Sequence, residues 1–194
     1  TVGLSTFTAS LERTLNTNVI ERAYYRLGAD LSLLEQPSVG AAPVFGQETS
    51  EAEIGTEDEG SGYILPDYEA EQIPGVLKAA RVVSLSATAS SGERGMVLGV
   101  NRATLPGVAF FRRDFSARTL GALMNALARD PKAVLVNNAF LNRYGIRVGD
   151  LFYVQGNNPE RTRLEFLVAG TLDLFPTFYP GESGLAMLIV ANTE

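Results

Sequence analysis

Apolar residues recur at intervals of three and four along the first 27 residues, which is typical of one side of an α-helix. The recurring positions are Leu4, Phe7, Leu11, Leu15, Val19, Ala23 and Leu27. Gly28 follows them, and glycine takes the left-handed conformation at a helix end without a steric cost. Ala29, Leu31 and Leu33 then alternate with polar residues. The pattern predicts an amphipathic helix from Gly3 to Leu27 and then a strand. Periodicity alone favours a helix that lies on its own domain.

Beyond a polar, acidic segment at 47–62, which is predicted to be a loop, strand and helix patterns alternate. Helical spacing covers Leu120 to Ala128, and a short helix in NNAFLNRYG is predicted to end at Gly145. A strand pair is predicted around the turn at Gly149 and Asp150. The other predicted strands lie in LKAARVVSLSATA, MVLGV, AVLV, TRLEFLVAGTLDLF and LAMLIV. This succession indicates an α+β protein with mixed sheets and a long first helix.

The composition is that of a globular chain with one unusual segment. Hydrophobic residues make up 45% and charged residues 20% of the 194 positions, so a core can form. Nine of the 22 acidic residues lie between Glu48 and Glu71, where there is no Lys or Arg, and the net charge of −6 arises there. No basic patch argues for nucleic acid, whose binding depends on phosphate neutralisation.

The sequence lacks the residues on which most catalytic sites depend. It has no His and no Cys, which excludes Ser-His-acid triads, thiol catalysis and zinc sites built on imidazole or thiolate. No glycine loop of the phosphate-binding or dinucleotide-binding type occurs. Taken as chemistry alone, the sequence therefore identifies no catalytic residue, cofactor or metal site, although a pair of carboxylates for glycoside hydrolysis is not excluded.

Two groups of residues remain as functional candidates. The acids Asp114, Asp150 and Asp173 lie in apolar surroundings beside turns or strand ends, where capping or ion pairing is the favoured role. The second group is two aromatic clusters, and core packing is expected of about half of their members. They are Phe110, Phe111 and Phe115, and later Phe175, Phe178 and Tyr179. The exposed part is predicted to contact a partner protein or lipid. The contact residues are Phe110, Phe111, Arg112, Arg113, Phe175, Phe178 and Tyr179.

The order of these elements resembles the large extracytoplasmic domain of FtsX-like ABC-transporter permeases of the MacB type. The resemblance covers essentially the whole chain. Its most specific parts are AVLVNNAFLNRYGIRVGDLFYV and FLVAGTLDLFP, and it also includes FTASLERTLNTNVIERAYYRLGADLSL, QIPGVLKAARVVSL and MVLGVN. Members of that family continue beyond the strand at LAMLIVANTE into a βαβ stretch before their next membrane helix.

The resemblance implies a porter-like α/β part, a sabre-like part and a return strand. We place the porter-like part at 1–90, with the stalk helix and the acidic loop, the sabre-like part at 91–175 and the return strand at 176–194. The first helix would extend a membrane helix outward, and Gly28 would join this stalk to the first strand.

The resemblance, together with the lack of catalytic groups, implies a domain that is not an enzyme and that transmits ATP-driven movement across the membrane. The implied partners are a cytoplasmic ABC ATPase, the membrane through flanking helices, and a lipoprotein, lipid, exported substrate or cell-wall-associated protein, in a homodimeric permease at the extracytoplasmic face. Two alternatives come from the residues alone. One is a glycan hydrolase that uses Asp114 and Asp150, and the other is a lipid or solute carrier whose cavity the aromatic clusters line.

Overall fold

A computed structural model describes residues 2–34, 67–156, 163–180 and 184–193. The helices are α1 (Val2–Leu27), α2 (Asp67–Ala70), α3 (Leu120–Leu127) and α4 (Asn138–Tyr144), with a 3₁₀ turn at Leu105–Gly107. The strands are β1 (Val82–Ala89), β2 (Arg94–Val100), β3 (Ala133–Asn137), β4 (Leu151–Gly156), β5 (Arg163–Leu172) and β6 (Met187–Asn192). The predicted acidic loop at 47–62 lies outside the described residues.

The six strands close into one barrel in the order β1, β2, β6, β3, β5, β4. Four neighbouring pairs are antiparallel, whereas β2 with β6 and β3 with β5 are parallel. The closing contact is short, because β1 meets β4 only from Ala87 to Ala89. The expected α+β fold with porter-like and sabre-like subdomains is therefore wrong. Strands from all three predicted parts, 1–90, 91–175 and 176–194, belong to the same barrel.

The interior of the barrel is filled by side chains from all six strands. Val97, Val134, Val136, Val154 and Ile189 are among its buried residues. Phe140 and Leu141 of α4 join the same cluster, so this short helix packs its apolar side against the interior. As predicted, α4 ends at Gly145, which has a left-handed φ of 66°. The predicted strand before Gly149 is wrong, since residues 146 and 147 have no regular structure and only Leu151–Gly156 forms a strand.

A second core lies outside the barrel wall, beneath α3. It contains Leu123, Met124 and Leu127 of α3 together with outward-facing residues of β2, β3, β5 and β6. Strand β5 contributes to both cores because of a bulge at Ala169: Val134 pairs with Val168, but the next residue, Leu135, pairs with Gly170. Val168 consequently faces the inner core, whereas Leu172 faces the outer core.

The first helix is present as predicted, but its apolar residues do not pack on the barrel. Leu4 is 74% exposed and Phe7 is 64% exposed, and every described side chain from Leu4 to Ile20 is exposed. From Phe7 to Leu27 the apolar residues are spaced by four, and each such step turns about 40° beyond a full helical turn. The apolar row therefore winds around α1 instead of forming one face.

The strand predicted after Gly28 is also wrong. Leu31 is 68% exposed, Leu33 and Leu34 are exposed, and residues 31–34 form no strand. The alternation of apolar and polar residues here is too short to identify a strand without a neighbouring strand to pair with.

Candidate functional site: the helix and barrel junction

The last two turns of α1 are the part of the helix that meets the barrel. Gly28 ends the helix with a φ of 82°, and its N–H donates to the carbonyl of Tyr24 at 2.7 Å. The predicted helix stop at Gly28 is therefore confirmed. A Cβ on Gly28 would lie 3.2 Å from Cγ2 of Thr177 and 3.6 Å from Cβ of Pro176. The helix end thus lies directly against the connection from β5 to β6.

Two barrel connections satisfy backbone carbonyls that the end of α1 leaves without a helical partner. The N–H of Thr177 donates to the carbonyl of Tyr25 at 2.8 Å, and the N–H of Phe110 donates to the carbonyl of Gly28 at 2.7 Å. Thr177 belongs to the connection from β5 to β6, and Phe110 to the connection from β2 to α3. The helix end is consequently fixed to two separate parts of the chain.

Aromatic side chains fill the space between α1 and these connections. Tyr24 stacks on Phe110 with ring centroids 5.3 Å apart. Tyr25 meets Phe115 at 5.4 Å and Tyr179 at 5.1 Å, both edge to face. The hydroxyl of Tyr25 donates to the carbonyl of Phe178 at 2.6 Å, and burial raises the pKa of this hydroxyl above its ordinary value. Tyr25 therefore contacts both connections.

An ion-pair chain lies at the edge of the junction. Arg112 bonds to Glu21 of α1 and to both carboxylate oxygens of Asp114, at 2.9 and 2.8 Å. The hydrogen bonds from Arg112 lower the pKa of Asp114, and Asp114 in turn raises the pKa of Arg112. Arg112 and both acids are partly exposed, so these ion pairs contribute little to the stability of the fold.

The junction brings together most of the predicted contact residues. Phe110 and Tyr179 touch α1, while Phe111 reaches it indirectly by packing edge to face on Phe115 at 5.5 Å. Phe175 and Phe178 are only 4% and 2% exposed and belong to the outer core. These two side chains therefore offer almost no surface to a partner. Arg113 is exposed at the rim.

Four junction residues belong to none of the groups predicted from the sequence: Glu21, Tyr24, Tyr25 and Thr177. The adjacent tyrosines in the last turn before Gly28 were the available signal, since aromatic residues with a polar tip are typical of contacts that are only partly buried. Nothing in the local sequence predicts that Thr177 contacts α1, because that contact depends on the tertiary fold.

The three candidate acids have structural partners. Asp114 binds Arg112, Asp150 accepts from the N–H of Arg147 at 2.8 Å, and Asp173 accepts from the Nδ2 of Asn138 at 2.6 Å. All three are exposed and each sits in a different turn or connection. Their contacts are those of turns and ion pairs, as the sequence favoured.

A groove of about 250 Å³ lies at the other end of the connection from β5 to β6. Pro180, Leu185 and Ala186 line one side, and Ala139, Phe140 and Arg143 line the other. The wall contains none of the aromatic residues predicted to line a carrier cavity. Across the described ranges, no helix has the length and apolarity to cross a membrane, and no three metal-binding side chains come together.

Comparison with known proteins adds no assignment, since no family model matches the chain and no curated protein is similar to it.

Proposed function

We propose that this chain is the non-catalytic extracytoplasmic domain of an ABC-transporter permease, in which α1 transmits ATP-driven movement to the barrel. The observation that supports this proposal most directly is the contrast along α1. Its side chains are exposed from Leu4 to Ile20, while Glu21, Tyr24, Tyr25 and Gly28 are held by the barrel. A helix that only covered its own domain would bury an apolar side along its length.

The dimensions and bonding of α1 suit a lever. Its 26 residues span about 39 Å, and a helix is stiff over that length. At its end, carbonyls of α1 accept two hydrogen bonds from backbone amides of the barrel connections, and the Tyr25 hydroxyl donates a third. Three direct ring contacts add to them. Each hydrogen bond contributes about 1 kcal/mol. If α1 tilts, these bonds should therefore pull the two bound connections along with it.

The fold that the family resemblance implied is wrong and gives the proposal no support. The support comes from the exposed part of α1, from its junction with the barrel and from the ordered sequence segments that resemble the permease family. The exported substrate, lipoprotein, lipid or envelope protein would meet the barrel, and the ATPase would act through the membrane-spanning part of the permease. The contacts of Asp114 and Asp150, an ion pair and a turn, give the hydrolase alternative no added support.

The first test is the reading frame that contains this segment. We expect apolar membrane spans to flank it and an ABC ATPase gene to lie nearby. A reading frame without a flanking span would contradict the proposal.

The second test measures coupling in the full-length permease reconstituted with its ATPase. Tyr25→Ala removes the ring contacts and the hydrogen bond to Phe178, so we expect ATP hydrolysis to continue while export or partner activation is lost. Asn16→Ala is the matched control, because Asn16 lies on the exposed part of the same helix. Equal activity of the two variants would show that the junction transmits nothing.

A further inference from the structure

Thr177 has a backbone conformation that residues other than glycine rarely adopt. Its φ is 70°, and no other non-glycine residue in the described ranges has a positive φ. Thr is β-branched, which makes this conformation especially unfavourable. Its N–H donates to Tyr25 at 2.8 Å, and its methyl group lies beside Gly28. The strained residue is therefore located where α1 meets the barrel.

The residues around Thr177 alternate between the outer core and α1. Phe175 and Phe178 are buried in the core, and the N–H of Phe178 donates to the carbonyl of Phe175 at 3.2 Å. Thr177 and Tyr179 contact α1. Tyr25 of α1 makes two hydrogen bonds to this segment: its carbonyl accepts from the N–H of Thr177, and its hydroxyl donates to the carbonyl of Phe178. Segment 175–180 is thus held from the core on one side and from α1 on the other.

We propose that segment 175–180 is a two-state element whose conformation is set by the docking of α1. Docked α1 accepts the N–H of Thr177 at the carbonyl of Tyr25 and packs Gly28 beside its methyl group, and loss of these contacts lets Thr177 relax to a negative φ. Strained backbone that the surroundings maintain is characteristic of switch regions. The inference rests on the proposed function, because it names the element that receives the movement of α1.

Relaxation of Thr177 is expected to move one wall of the groove described above. Phe178 follows Thr177 directly, and Pro180 forms part of the groove wall opposite Ala139, Phe140 and Arg143. A change of φ at Thr177 reorients the chain that follows it, so Pro180 moves relative to α4. The width of the groove is therefore expected to report whether α1 is docked.

The test uses the 194-residue chain alone, without membrane or ATPase, so its outcome is separate from that of the permease proposal. Ala139 is exposed and the sequence has no Cys, so Ala139→Cys gives a single site for an environment-sensitive dye. In this background, Tyr25→Ala should shift the dye emission and speed amide exchange at Thr177 and Phe178 by about tenfold or more. Asn16→Ala should change neither.

The role of the positive φ is tested by replacing Thr177. Glycine adopts a positive φ freely, whereas alanine remains strained there, so Thr177→Gly removes the backbone strain and Thr177→Ala retains it. Combined with Tyr25→Ala, Thr177→Gly should abolish the dye shift, and Thr177→Ala should retain it. Equal dye shifts in the two combinations would overturn the proposal. So would an unchanged dye emission in Tyr25→Ala when faster amide exchange at Phe110 shows that α1 has undocked. Should Tyr25→Ala not fold, Tyr24→Ala, which removes the stacking of α1 on Phe110, serves in its place.

Discussion

The two parts of α1 differ in what holds them. The part from Leu4 to Ile20 contains six large apolar side chains, yet all of them are exposed. The part from Glu21 to Gly28 is attached through backbone carbonyls, two tyrosines and an ion pair. Apolar content therefore does not decide which part of this helix packs. The helix end packs because its unpaired carbonyls and its aromatic residues have partners on two connections.

Gly28→Val, which alters the packed end of α1, is expected to cause the largest loss of stability. Gly145→Val is the matched control, because both glycines end a helix at a positive φ but no atom lies within 4 Å of a Cβ on Gly145. The conformational strain common to both variants is about 2 kcal/mol. At Gly28 the new side chain would also press on Thr177 and Pro176, which adds about 1 kcal/mol or more. Chemical denaturation of the two variants measures the difference, and equal losses of stability would show that the contact with Thr177 is loose.

A smaller effect is expected from acidification. Hydrogen bonds from Arg112 lower the pKa of Asp114, so the native state favours the charged carboxylate more than the unfolded chain does. The resulting stabilisation is present above the unfolded pKa and is lost as the pH falls through the folded pKa. Asp114→Asn removes this contribution. The melting temperatures of the two proteins should therefore differ slightly at pH 6, and the difference should shrink as the pH falls below the ordinary aspartate range. A difference that stays constant as the pH falls would contradict the assignment.

The smallest effect is expected in the exposed part of the helix. Leu15 is 58% exposed and contacts no core, so Leu15→Ala should change the free energy of unfolding of the isolated chain by no more than about 0.5 kcal/mol. Thermal melting measures this. A loss of about 2 kcal/mol or more would mean that the exposed part packs against something in solution and would remove the contrast between the two parts of α1.

The sequence predicted local elements well and their arrangement poorly, for physical reasons. Helix α1 and the stops at Gly28 and Gly145 follow from local spacing and from the left-handed preference of glycine. Closure of the barrel depends on three residues of β1 that meet β4 about 67 positions later, and no local pattern marks that pairing. The family resemblance supplied porter-like and sabre-like subdomains in its place, and the closed barrel contradicts that arrangement.

The candidate site shows the same division between local and distant information. Gly28 and both aromatic clusters were found because their residue types are distinctive. That the clusters meet each other and the end of α1 is a tertiary fact, as is the strained φ of Thr177. The apolar row on α1 was misjudged as one face, since spacing by four turns about 40° too far at each step and the excess accumulates along the helix.

The bulge at Ala169 has a consequence for how the chain tolerates change in length. Because of that one residue, Val168 faces the interior of the barrel and Leu172 faces the layer beneath α3. A substitution within 168–172 alters one side chain, but an insertion or deletion there exchanges the side chains that both cores receive. This short stretch should accept replacement of its half-buried residues, Ala169 and Thr171, far more readily than the gain or loss of one residue.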